Sequence, residues 1–299
     1  MAGRFAPSPT SDLHLGNLRT ALAAWLFARS TGREFLVRVE DLDQQRVTAA
    51  PGVAERQLAD LAALGLDHDG EVVRQSERGQ LYATALEGLR EVTYECFCSR
   101  REIAEAAQAP HGDGHRPYPG TCRDLTDAER AARRRERPAA LRVRADEAVV
   151  TVHDVLHGHV SGVVDDFVVR RGDGTVAYNL AVVVDDAAQG IDQVVRGDDL
   201  LSSAPRQAWL ADALGVPRID TYAHVPLAVN RAGVRLAKRD GAVTLADLER
   251  GGAGVKEVLT LLAVSLGVAA PGERVNAADL VPRFDPDLVP RSPWVVDVG

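Results

Sequence analysis

Apolar positions recur along the first third of the chain with two different periods. Arg4 to Ala6 is a short, partly apolar run closed by Pro7 and Pro9, whose fixed φ and bulk push the preceding residues toward extended geometry, so a strand must stop there. Leu18, Leu22, Trp25, Leu26 and the stem of Arg29 then recur at three- and four-residue steps behind Gly16 and Asn17, which predicts a helix opening with His14 and Asn17 near its exposed N-terminus. The run EFLVRVEDLD predicts a strand from Phe35 to Val39 that ends in the carboxylates Glu40, Asp41 and Asp43, with a helix cap as the ordinary role for Asp41 or Asp43. Helical spacing follows from Pro51 to Leu64, breaking at Gly65, and again from Gly79 to Glu91. Strands alternating with helices in this way predict a doubly wound α/β domain.

Further along, RAARRRER (Arg130 to Arg137) predicts a helix, and VVTVHDV, HVSGVV and DFVVRR between Leu141 and Val169 predict a small antiparallel insertion. LAVVVDD is expected to be a buried strand ending in acids, and QVVRGDD a second strand ending at Arg196. Helices are expected over Ala204 to Leu214 and Val255 to Leu266, with a short one near Asn276. The expected organisation is a domain over 1–243 with an insertion at about 93–170, followed by a short helical region over 244–299.

Composition changes little in this picture. A 299-residue chain with 45% hydrophobic and 26% charged residues is ordinary for a globular protein. Its first residues carry no apolar leader, and ALAAWLFA is far too short to span a bilayer, so a cytoplasmic protein with no membrane partner is expected. The net charge of −8 gives no overall attraction for RNA, and the five arginines of Arg130 to Arg137 read as a solvated helix face. Only Lys238 and Lys256 are lysines, which makes a retained lysine a candidate for chemistry.

Three places carry candidate chemistry. The helix start at His14 offers unpaired amides, a favourable dipole and an imidazole, a combination suited to phosphate. Acids beyond the carboxyl end of a parallel strand, as at Glu40, stand where open α/β sheets bind ligands. Cys96, Cys98 and Cys122 are odd in number and flanked by a polar Gly/Pro-rich loop, so they read as a metal clip rather than a disulfide framework. Three thiolates leave a tetrahedral zinc one ligand short, and by chemistry alone His111 or His115 would supply it.

RFAPSPTSDLHLGN resembles, almost position by position, the ATP-binding signature of class I aminoacyl-tRNA synthetases of the glutamyl type. His14 and Leu15-Gly16-Asn17 stand in the place of its HIGH tetrapeptide, with Asn17 replacing the final histidine. RLAKR, Arg235 to Arg239, stands where the family has KMSKS; Lys238 is kept, and Ala237 and Arg239 replace the serines. The block from DGTVAYNL to QVVRGDDLLSSAPRQ is similar to the family as well, and RQSER resembles a further block to which no chemistry is assigned.

The resemblance implies a Rossmann-like class I synthetase catalytic domain with a zinc-bearing insertion and a short helical C-terminal region. It implies that L-glutamate is held by Arg4, Phe5, Ala6, Pro7, Ser8, Glu40, Tyr178 and Arg196, the last through a bidentate pair. ATP with Mg2+ would be bound by His14, Gly16, Asn17 and Lys238, of which His14 and Lys238 are catalytic. The C-x-C followed by Y-x-x-x-C is similar to the short glutamyl-synthetase paralogues and selects Tyr118 as the fourth ligand of a structural Zn2+, with His115 as the alternative. Discriminating glutamyl enzymes continue into a helical anticodon-binding region, and the resemblance leads to the expectation that no such region follows here. The paralogue resemblance accordingly implies transfer of glutamate to queuosine in the anticodon arm of tRNA(Asp). Charging of a tRNA 3′ end, a non-catalytic RNA-binding relic and a small-molecule nucleotidyltransferase are the alternatives.

Overall fold

The computed structural model describes residues 1–99, 101–103, 118–236 and 243–296. Its strands are β1 (Ala2–Phe5), β2 (Glu34–Val39), β3 (Val73–Arg74), β4 (Thr93–Cys96), β5 (Ala140–Val143), β6 (Val149–Asp154), β7 (Gly158–Val163), β8 (Val168–Arg170), β9 (Ile191–Gly197), β10 (Thr221–Val225), β11 (Ala228–Val229) and β12 (Trp294–Val295). Seven of these form the main sheet, in the order β3-β2-β1-β9-β10-β6-β7. All neighbours in it run parallel except the β6–β7 hairpin. From β1 the chain winds outward one way through β2 and β3, and returns on the other side through β9 and β10. The switch in direction between β1 and β9 is where such sheets open a crevice beyond their carboxyl ends.

Helix α1 (Leu15–Ser30) crosses this sheet and is buried from Ala21 through Ala28 as well as at Leu15, Leu18 and Arg19. A helix apolar on every side has to be covered on every side. The sheet covers one side, and the segment containing helices Leu245–Arg250, Val255–Ser265 and Ala277–Leu280 covers the other, sharing one hydrophobic core with α1. Phe27 meets Phe284 edge-on at 4.9 Å, and β12 pairs with β11. A second core fills the opposite face of the sheet under helices Tyr178–Ala188 and Ala204–Leu214.

Two expectations are corrected. LAVVVDD is not a strand: it lies within the helix Tyr178–Ala188. Three successive valines suggest a strand, but the segment is packed on several sides, so continuous apolarity reflects burial and not period. The pieces between Leu141 and Val169 also do not form one antiparallel unit. β5 and β8 join β4 in a separate antiparallel sheet, while the β6–β7 hairpin extends the main sheet through the pairing of Asp154 with Tyr222. No helix among the described residues is long and apolar enough to cross a membrane.

Candidate active site

Beyond the carboxyl ends of β1 and β9 lies a cleft of about 680 Å³. Arg4, Phe5, Ala6, Pro7, Ser8, His14, Gly16, Asn17, Glu40, Tyr178 and Arg196 all line it, so the residues named from sequence for glutamate and ATP converge there. Lys238 lies outside the described residues. The cleft's loop is fixed from below: Gln57 donates to the carbonyls of Ser8 and Ser11 at 3.1 and 2.7 Å, and the Glu40 amide donates to the Pro7 carbonyl at 2.9 Å.

His14 is the N-cap of α1. Its Nδ1 accepts from the amides of Gly16 at 3.1 Å and Asn17 at 3.3 Å, and Asn17 Oδ1 accepts from the His14 amide at 3.3 Å. Asn17 therefore closes a reciprocal capping box. A neutral imidazole that accepts at Nδ1 carries its proton on Nε2, so His14 keeps a donor for a ligand in the cleft. Burial, with the nearby Arg235 charge adding to it, holds its pKa below the usual histidine value and favours that neutral form. Gly16 is needed for this arrangement, because a Cβ there would sit 3.0 Å from the imidazole.

The two arginines of the cleft differ in what they have to offer. Arg4, almost fully buried, donates through Nε and NH2 to the two oxygens of Asp186 at 3.3 and 3.4 Å. That side-on pairing leaves the end-on edge of the guanidinium for an anion. Arg196 donates through Nε to His224 Nε2 at 2.9 Å, through NH1 to Gln207 at 2.8 Å and the Tyr178 hydroxyl at 3.5 Å, and through NH2 to the Leu200 carbonyl at 3.3 Å. A guanidinium has five N–H groups, so Arg196 holds one more in reserve. The bidentate role expected of Arg196 thus fits Arg4 better, with Arg196 giving a single bond beside Tyr178, which is 40% exposed at the first turn of its helix.

Behind Arg4 is a buried network that sequence reading did not assign. Fully buried Arg38 reaches Asp186 at 2.7 Å, Asp185 at 3.7 Å and Glu40 at 3.4 Å. Asp185 also receives Gln75 at 2.8 Å, Arg78 at 2.6 Å and Tyr82 at 2.8 Å. RQSER is therefore the clamp on Asp185, and Asp41 accepts from the Ser76 amide and hydroxyl at 2.8 and 2.7 Å. Asp43 caps the next helix by accepting from the Arg46 amide at 3.3 Å. Burial raises the Glu40 pKa against the pull of Arg38 and Arg4, which suits a carboxylate awaiting a cation. Burial also acts on Asp186, but Arg4 and Arg38 outweigh it and hold that carboxyl below the usual range.

In the RLAKR segment, Arg235 lines the cleft and pairs with Asp199 at 2.5 Å, while Leu236 is buried in the core under α1. The arginines of the helix Asp127–Glu136 are solvated or paired to nearby acids, as with Arg134 and Glu95 at 2.7 Å.

Away from the cleft, the thiols of Cys96, Cys98 and Cys122 lie within 4.8 Å of one another. The Tyr118 hydroxyl sits among them, 3.4 Å from Cys96 and 3.6 Å from Cys98, with Cys98 and Cys122 3.5 Å apart. Ligands on a tetrahedral zinc are about 3.5 to 3.8 Å from each other, so the donor set fits the metal. Burial pushes the Cys98 thiol up to about 12, a cost that a bound cation would reverse. Arg142 stacks over the Tyr118 ring at 3.8 Å. His111 and His115, the other candidates for the fourth position, lie outside the described residues.

A family model of class I tRNA synthetases (E and Q), catalytic domain, matches residues 1–297. The chain is 62% identical over 298 residues to a glutamyl-Q tRNA(Asp) synthetase of Nocardia farcinica, covering 99% of this chain and 93% of that protein. It is 57% identical over 285 residues to one of Cutibacterium acnes, covering 94% and 81%. Among solved structures, a glutamate tRNA ligase from Elizabethkingia meningosepticum in complex with its amino acid superposes with a TM-score of 0.80 at 26% identity. That match covers 98% of this chain and 66% of the ligase, so the chain spans just under two thirds of its length.

Proposed function

Since the chain belongs to the class I tRNA synthetases (E and Q), we propose that it joins L-glutamate to ATP as glutamyl adenylate and passes the glutamyl group to queuosine in the anticodon arm of tRNA(Asp). The observation that carries the first half is the pairing, in one cleft, of an arginine with a free end-on edge and an imidazole with a free Nε2 donor at a helix N-terminus. Arg4 takes a carboxylate of glutamate, Tyr178 and Arg196 add single bonds, and the partly buried Glu40 receives the ammonium. The α-carboxylate then attacks the α-phosphate of ATP, which arrives with Mg2+, and pyrophosphate leaves. His14 Nε2–H, the positive end of the α1 dipole and Lys238 stabilise the charge that develops on the phosphates.

The second half rests on the names of the relatives in Nocardia farcinica and Cutibacterium acnes, both glutamyl-Q tRNA(Asp) synthetases. A hydroxyl of the modified base, like any well-placed hydroxyl, attacks the mixed anhydride and releases AMP. A Zn2+ held by Cys96, Cys98, Tyr118 and Cys122 would tie β4 to the loop that follows it, a structural role with no ligand position left open. A cytoplasmic location belongs with this reading.

The direct test is exchange of label between pyrophosphate and ATP without tRNA. It should depend on glutamate and not on glutamine or aspartate, since a buried arginine set for a second carboxylate is left poorly paired by an amide or a shorter acid. Equal exchange with glutamine would overturn the assignment.

A further inference from the structure

Arg196 is oriented by a buried chain that starts on a strand far from it in sequence. Asp154, at the end of β6, is wholly buried and accepts four N–H groups. Its Oδ1 takes the amides of Leu156 at 2.8 Å and His157 at 2.9 Å, and its Oδ2 takes the His224 amide at 3.0 Å and His224 Nδ1 at 2.6 Å. His224, on β10, is equally buried and stacks on Tyr222 with ring centroids 5.8 Å apart. Its other nitrogen, Nε2, meets Arg196 Nε at 2.9 Å.

The donor and acceptor roles along this chain are forced. A carboxylate only accepts, so His224 Nδ1 carries the proton; a guanidinium only donates, so His224 Nε2 is bare. The three residues therefore form one directional relay, in which no member can be reversed without setting N–H against N–H or lone pair against lone pair. Burial and the Arg196 charge keep the imidazole neutral against the opposing pull of Asp154.

We propose that His224, set by Asp154, is the positioning residue of the amino acid pocket: its bare Nε2 fixes the Arg196 guanidinium so that its one uncommitted N–H faces the substrate carboxylate. This rests on the functional reading above and deepens it. His224 itself does not line the cleft, so its substitution acts on glutamate only through Arg196. ATP, held at the other end of the cleft by α1, is unaffected.

Two variants separate positioning from bulk stability. His224→Asn keeps an amide nitrogen near the place of Nδ1 to donate to Asp154 but has nothing at Nε2. His224→Gln brings a carbonyl oxygen to the place of Nε2, where it accepts from Arg196. Loss of one hydrogen bond to a charged group corresponds to roughly a tenfold or larger change in affinity. His224→Asn is therefore expected to raise the KM for glutamate in pyrophosphate exchange, and the Kd by calorimetry, about tenfold or more, with the KM for ATP unchanged. His224→Gln is expected to recover most of the loss.

Unchanged glutamate KM in His224→Asn would overturn the proposal, as would a parallel rise in the KM for ATP and glutamate in both variants. If the wild type neither binds glutamate nor exchanges label, the functional reading fails instead. The relay is then decided by imidazole nitrogen resonances at neutral pH: His224 protonated on Nδ1 and bare on Nε2 supports it, and the opposite tautomer overturns it.

Discussion

Arg4 and Asp186, 182 residues apart in sequence, meet as a buried ion pair at 3.3 Å where β1 abuts the helix Tyr178–Ala188. The carboxylate is shared with Arg38 at 2.7 Å, so it stands between two buried guanidinium groups, of which Arg38 also reaches Asp185 and Glu40. Removing one partner of such a pair leaves uncompensated charge, typically at a cost of about 3 to 5 kcal/mol. Asp186→Asn is expected to lower unfolding free energy by about 3 kcal/mol in urea titration and to raise the KM for glutamate, because Arg4 loses the side-on contact that turns its free edge to the cleft.

His14 has two roles that substitutions divide. His14→Ala removes both the cap of α1 and the Nε2 donor, and is expected to slow glutamyl adenylate formation roughly 10- to 100-fold while costing about 1 kcal/mol of stability. His14→Asn restores a capping oxygen without the donor, so stability should return and the rate should not. Lys238→Ala should slow the same step with no loss of stability. The measurements are single-turnover adenylate formation and thermal unfolding.

Metal content tests the thiol cluster. The purified protein should carry about one zinc per chain, and Cys98→Ser should release it while glutamate activation persists. Tyr118→Phe keeps the ring under Arg142 but removes the hydroxyl that lies 3.4 Å from the Cys96 sulfur, and is expected to weaken metal retention against a chelator. Wild type without metal would contradict this assignment.

Burial lowers the pKa of His224 to about 4 from its ordinary 6.5, with Asp154 pulling the other way and Arg196 assisting. The unfolded chain thus takes up a proton near 6.5 that the folded chain refuses until about 4. This contribution to stability is whole above pH 6.5 and falls away toward pH 4, by roughly 3 kcal/mol at most. His224→Gln removes the titrating group, so its unfolding free energy should fall less than that of the wild type across the same interval.

The parts of the cleft contributed by contiguous sequence were legible before the structure. RFAPSPTSDLHLGN held its strand, its helix start and its imidazole in one stretch, and the apolar run QVV led into Arg196, one residue before the end of β9 at Gly197. What the sequence hid was made by long-range pairing. Asp185 and Asp186 looked like acids at a strand end, because a helix buried between sheet and helix loses the polar stripe that betrays its period. Asp154 and His224 are 70 residues apart and lie on strands that meet only in the folded sheet, so neither residue type nor spacing announced the relay. A histidine in the otherwise apolar run TYAHVPLAV was the one available signal, since a buried histidine must find partners.

The most direct measurement is transfer of labelled glutamate to tRNA(Asp) with and without queuosine. The account predicts label in the queuosine-bearing tRNA, mapped by nuclease digestion to the anticodon loop, and none in the same tRNA lacking the modified base. Charging of tRNA(Glu) at its 3′ end, or equal labelling of both forms of tRNA(Asp), would contradict it.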